Sequence, residues 1–260
     1  MKKLIISIVV LVGLINIPGE ISAHHAMEYI QMESYSTARK GEFVFHLHYD
    51  YMVDDSEIPA LDHWELTPGM SWGITNRLMF DVHTHFAKFG IGHLAEYDVE
   101  LDPWGPSPFM EAVAGCLQYR LTEDWPVNIA LAAGLEVPFQ RAKDLLGSED
   151  YAYSGMLIAT KDFENHANIT INICHEREGD EGETFWALGG KTPLTGDSHG
   201  FSAGIEFMGA FEDASDNWSV LPGVYMPVGS QSITLKTGIE IGKGGGADII
   251  RGNVTLMCRF

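Results

Sequence analysis

The sequence predicts an all-β chain, a transmembrane antiparallel outer-membrane β-barrel of about twelve strands, on three observations. Segments of about ten residues alternate apolar with polar side chains, the mark of strands with one face out of water. Their connections are alternately short and long, as periplasmic turns and outer loops are. The last segment, "NVTLMCRF", ends the chain on Phe260 within a strand, as bacterial outer-membrane barrels commonly end.

Taken in order, the strands are expected near 41–53, 62–74, 78–90, 109–121, 127–139, 151–162, 166–176, 184–194, 199–211, 217–226, 231–242 and 249–260. In the first, Phe43, Phe45, Leu47, Tyr49 and Tyr51 share one face and His46, His48 and Asp50 the other. The second offers His63, Glu65, Thr67, Gly69 and Ser71 on its polar face, and the third Asp81, His83 and His85. Glu136, Glu206, Lys236 and Glu240 take the same face farther along, opposite apolar residues such as Ile239 and Ile241. In the last strand Val254, Leu256, Cys258 and Phe260 point one way and Asn253, Thr255, Met257 and Arg259 the other.

The short links are "TNR", "TEDWP", "FEN", "TGD" and "PVGSQ"; the longer ones include "EREGDEGE" at 176–183 and "KGGGAD" at 243–248. Trp64, Trp104, Trp125 and Trp218 fall near strand ends, where aromatic girdles meet the membrane surface. An open sheet edge is not tolerated in a bilayer, so twelve spanning strands must close. A secreted sandwich or lipocalin-like barrel would have the same strands with the apolar face turned inward.

Three parts are expected: a signal peptide at 1–23, a periplasmic leader or lumen plug at 24–39, and the barrel at 40–260. Lys2 and Lys3 precede an apolar run from Leu4 to Ile17, and Ser22 and Ala23 end it. That run is shorter than the ~20 residues a membrane helix needs. Export would carry the chain to the outer membrane of a Gram-negative envelope.

The net charge of -20 excludes a phosphate-neutralising surface and so argues against nucleic acid. It fits a lumen or surface that attracts cations. Cys116, Cys174 and Cys258 form no CxxC pair and no disulfide framework.

The run "HWELTPGMSWGITNRLMFDVHTHFAKFG", followed by "AVAGCLQYRLTEDWPVNIALAAGLEVPF", resembles the outer-membrane family named for the MetA-pathway of phenol degradation. Glu65, Pro68, Gly69, Gly73, Ile74, Thr75, Arg77 and Leu78 carry the first part of its pattern, and Tyr119, Arg120, Leu121, Val137 and Pro138 the second. The chain departs from the family at Phe139, where a small residue is common, and in its abundance of histidine. The resemblance implies an outer-membrane barrel with a transporter-like role and no catalytic residue.

The histidines set the remaining question. A turn centred on Asn76 pairs Thr67 with His85 and Gly69 with His83, and a matching first hairpin pairs Thr67 with His48 and Gly69 with His46. Two His-x-His runs then flank a narrow strand, about 4.8 Å from it on either side. Imidazoles with carboxylates suit zinc or copper. The expected metal-facing set is His46, His48, Asp50, His63, Glu65, Asp81, His83 and His85. A second set, His24, His25 and Met27, with Met32 beyond, would follow cleavage after Ala23. The same lumen residues also suit plain polar filling of a narrow barrel.

The leading expectation is a monomeric, non-enzymatic channel or transporter, with outer-membrane lipid and a small solute or divalent metal as partners. The alternatives are an envelope-lipid enzyme using lumen or rim histidines, and a non-conducting structural barrel.

Overall fold

The computed structural model describes residues 29–53, 62–88, 108–123, 125–140, 151–195, 200–245 and 247–260. Twelve antiparallel strands close into one ring. They are β1 Phe43–Val53, β2 His63–Gly73, β3 Leu78–Lys88, β4 Phe109–Arg120, β5 Asn128–Pro138, β6 Ala152–Asp162, β7 Asn168–Glu178, β8 Glu181–Pro193, β9 Ser202–Ala210, β10 Trp218–Val228, β11 Ser230–Gly244 and β12 Ala247–Arg259. Each pairs with its neighbours in the chain, and β1 closes on β12 from Val44↔Arg259 to Val53↔Ile250. At the seam Phe43 N–H donates to the Phe260 carbonyl at 3.2 Å, and Phe260 N–H donates to the Phe43 carbonyl at 2.9 Å. The terminal aromatic residue thus takes part in closing the ring.

The ring is inside out relative to a soluble barrel. Leu131, Leu157, Ile171, Leu188, Phe207, Ile239 and Val254 are exposed, while Ser71, Thr160, Thr170, Asn172, Glu206 and Asn253 are buried. Water would leave that apolar exterior unsatisfied, whereas hydrocarbon covers it. The inward-apolar alternative does not describe this chain. Aromatic pairs line the outside, Phe43 stacked on Trp72 with ring centroids 6.1 Å apart and Tyr49 beside Trp64 at 6.2 Å. Trp125 and Trp218 are also exposed near strand ends, and Trp104 lies outside the described residues.

Two connections differ from expectation. The stretch 176–183 is not a long loop: β7 and β8 run on until Glu178 pairs with Glu181. Likewise β11 and β12 extend until Gly244 pairs with Ala247. Gly179 and Gly245 adopt φ of +54° and +58°, a region costly for other residues, so each permits a tight turn where composition alone reads as loop.

Two clusters of buried apolar side chains lie inside the ring, Ala38 with Val44, Met79 and Met257, and Ile30 with Leu221 and Tyr225. Both contain a residue from the segment that precedes β1. That segment is the inner wall of the site.

Candidate metal centre in the lumen

Strand parity places His46, His48 and Asp50 inward on β1, and the first hairpin pairs His46↔Gly69, His48↔Thr67 and Asp50↔Glu65. The second hairpin pairs Gly69↔His83 and Ser71↔Asp81, which brings both His-x-His runs beside the polar face of β2. The second register is the one the turn around Asn76 predicts, and the first is the matching register expected of the first hairpin. Residues from β1 and β3 meet across β2 because Gly69 has no side chain. A Cβ there would collide with His46 Nε2 and lie 2.7 Å from His83 Cβ.

Asp81 is the hub. His83 Nδ1–H donates to Asp81 Oδ1 at 2.7 Å, and the Ser71 hydroxyl donates to Oδ2 at 2.6 Å. With Nδ1 held by a carboxylate, the His83 ring is fixed in orientation and its Nε2 keeps a free lone pair, the usual way a ligating histidine is positioned. His46 Nε2 lies 3.4 Å from Asp81 Oδ2, outside hydrogen-bond geometry, and is buried without a hydrogen-bond partner among the described residues. Ligand atoms of His46, Asp81 and His83 all lie within 4.8 Å of one another. Metal–ligand bonds of about 2.0–2.2 Å would draw them closer still.

The other expected residues divide. His85 stands beside His83, ring centroids 5.0 Å apart, with its Nε2 3.7 Å from Glu136 Oε2 and its Nδ1 3.5 Å from the Thr67 hydroxyl. His48 is already engaged at both nitrogens, with the Thr255 hydroxyl at Nδ1 and Asp50 Oδ2 2.8 Å from Nε2. It is therefore a poorer ligand than His46. Glu65 lines the same cavity of about 360 Å³ as these groups, and His63 does not. His24, His25 and Met27 lie outside the described residues.

The chain resembles solved outer-membrane barrels over most of its length. It shares the fold with an outer-membrane channel from Pseudomonas putida F1, at 12% identity over 89% of this chain and 100% of that one, with a TM-score of 0.59. It is also similar to the KdgM porin in complex with disordered oligogalacturonate, at 9% identity, 84% and 99% coverage, and a TM-score of 0.54. An active-site mutant of outer membrane phospholipase A from Escherichia coli follows at 9% identity, 91% and 94% coverage, and a TM-score of 0.50. No protein-family model matches the chain, and neither does any curated protein. At such identities the likeness carries the fold alone.

The cavity has a wall that strand parity does not foresee. Tyr29, Ile30, Gln31, Met32 and Glu33, from the leader, face the histidines across it. Glu206 holds this segment by accepting hydrogen bonds from three successive backbone N–H groups, Ile30 at 2.7 Å, Gln31 at 3.0 Å and Met32 at 2.9 Å. Lys236 Nζ donates to the Tyr29 carbonyl at 2.6 Å, and the Gln31 amide donates to Glu240 at 3.1 Å and Asn253 at 2.8 Å. Gln118 donates to the carbonyls of Ser34 and Ser36. Charged groups predicted as lumen lining thus serve as clamps for the leader, which satisfies polar atoms that would otherwise be costly to bury.

Glycines make room for it. A Cβ at Gly189 would sit 2.6 Å from the Tyr29 ring and 2.7 Å from Met32 Sδ, and one at Gly238 would sit 2.9 Å from Ile30 Cδ1. Inward glycines on β8 and β11 were the sequence signal for something docked inside the ring. Burial first, and then the Asp81 carboxylate, push the Glu33 carboxyl up to about 7 against the opposing influence of Lys236 and His83.

Proposed function

We propose that this chain is an outer-membrane channel or transporter for small solutes, with a lumenal site for a divalent transition metal, zinc or copper, on His46, Asp81 and His83. The observation that carries the metal reading is that three ligand atoms from β1 and β3 converge within 4.8 Å, inside a ring whose exterior is apolar. The KdgM porin bound to oligogalacturonate shares the fold and supports passage of a small solute. The net charge of -20 favours cations at the mouth of the lumen. The turn motifs support placing the chain in the MetA-pathway family, and the proposed role needs no catalytic residue. Residues 29–38 act as a plug that narrows the lumen.

The test is calorimetric titration of the detergent-refolded mature protein with zinc and with copper(II), beside a variant with His46, His48, His83 and His85 all replaced by Ala. Saturable binding that disappears in the variant supports the site. Equal binding by both proteins sinks it. Conductance in planar bilayers tests the channel reading separately, and a barrel that passes no ion with residues 29–38 deleted is not a channel.

A further inference from the structure

A second cavity, of about 430 Å³, adjoins the docked leader, whose Gln31, Met32 and Glu33 line both it and the histidine cavity. Its wall is an apolar belt inside a polar lumen. Cross-strand pairing puts Met156 beside Cys174, Cys174 beside Phe185 and Phe185 beside Ala210, one row across β6 to β9. The next row runs Ile158, Asn172, Ala187, Met208 and Ser219. Both rows point inward, because the residues between them, Leu157, Ile173, Leu188 and Phe207, are exposed outside. The flanking rows return to polar residues, Glu176 paired with Glu183 on one side and Thr160 hydrogen-bonded to Thr170 at 2.7 Å on the other. Methionine and phenylalanine in such a belt give a polar solute nothing to replace its hydration, whereas an apolar one gains by leaving water. The unbranched methionines can also adapt to its shape.

Asn172 interrupts the belt. It is 4% exposed and lines the chamber, and its Oδ1 is buried without a hydrogen-bond partner among the described residues. A buried acceptor left unpaired is costly, and a ligand that donates to it removes that cost. Charge on the ligand is disfavoured. Glu33 and Glu183 also line the chamber and repel an anion, the apolar rows strip water from a cation without replacing it, and Arg251 on β12 already pairs with Glu240 on β11 at 3.5 Å. We propose that this chamber binds a small, uncharged, mostly apolar solute that donates one hydrogen bond to Asn172 Oδ1, an alcohol in chemical class. The proposal names the solute class of the channel reading above and rests on that reading for transport, while binding itself needs neither the channel nor the histidine site.

The experiment uses the full mature chain, refolded and transferred to an amphipathic polymer so that no detergent tail competes for the chamber. The probes are cyclohexanol, cyclohexanone, which has the same ring but no donor, and cyclohexanecarboxylate. Their affinities are measured by ligand-observed NMR for the wild type, Asn172→Ala and Ala187→Leu, with the polymer alone as blank. Heat-modifiable migration on gels confirms that each barrel is closed. The wild type is expected to bind cyclohexanol at least tenfold more tightly than cyclohexanone and to leave the carboxylate unbound. Asn172→Ala is expected to bring alcohol and ketone to equal affinity, and Ala187→Leu, which fills the chamber, to weaken both. Equal affinity for alcohol and ketone in the wild type, tightest binding of the carboxylate, or no binding of any probe overturns the proposal. Bilayer conductance of the same wild-type sample and of a chain lacking residues 29–38 keeps the two readings apart. Conductance without cyclohexanol binding sinks the solute class and leaves the channel standing, whereas Asn172-dependent binding by a barrel that passes no ion supports the chamber and sinks the channel.

Discussion

The imidazole of His46 occupies the space above Gly69 where a side chain would stand, and through that gap it approaches His83 from the far side of β2, with ring centroids 6.2 Å apart. The relationship makes Gly69 as specific to the site as the histidines. Gly69→Ala is expected to push the His46 ring aside, lower zinc affinity at least tenfold, and destabilise the barrel by about 1–3 kcal/mol through overpacking. Calorimetry and denaturant unfolding check the two effects, and unchanged affinity would show that His46 is not a ligand.

Replacing Ser71 by Ala removes the hydroxyl that donates to Asp81 Oδ2 and leaves His83 as the remaining hydrogen-bond donor to that carboxylate. Zinc affinity is expected to fall about 10- to 100-fold, as when a group that orients a ligand is lost. The comparison is with Thr170→Ala, a buried substitution on β7 that leaves affinity alone.

Glu206→Ala strips the acceptor from three leader N–H groups. Each buried donor left unpaired costs about 1–3 kcal/mol, so the leader is expected to leave its seat. Limited proteolysis then cuts between residues 29 and 38 in the variant and spares the wild type, and conductance rises toward that of a chain lacking those residues. A leader equally resistant in both proteins contradicts the clamp.

Leu157 sits in the middle of β6 on the exposed face, paired with Leu131 and Ile173. Leu157→Arg is expected to cost about 2–4 kcal/mol when the protein folds into lipid vesicles. Leu157→Phe is expected to be near neutral. An arginine tolerated there without loss would mean that this face does not meet hydrocarbon.

The chain's own pattern placed the twelve strands, divided each into two faces and, through the turn around Asn76, set the register that puts His83 beside Gly69, while the exposed apolar exterior of the ring decided which face points inward. The reason is that a period of two is local: each residue's face follows from its neighbour's, and a short turn such as the one around Asn76 sets which residues pair. Local composition misled where charge and glycine looked like loop, at Glu178–Glu181 and Gly244–Ala247, because a glycine at positive φ lets strands continue to a tight turn.

Only the tertiary structure decided where the leader goes. Residues 29–38 have no strand period to read, and their place is set by contacts such as Ile30 N–H to Glu206, 176 residues apart in the chain. The same distance in sequence hid the jobs of Lys236 and Glu240, which parity could aim inward but not pair with a backbone carbonyl or with Gln31.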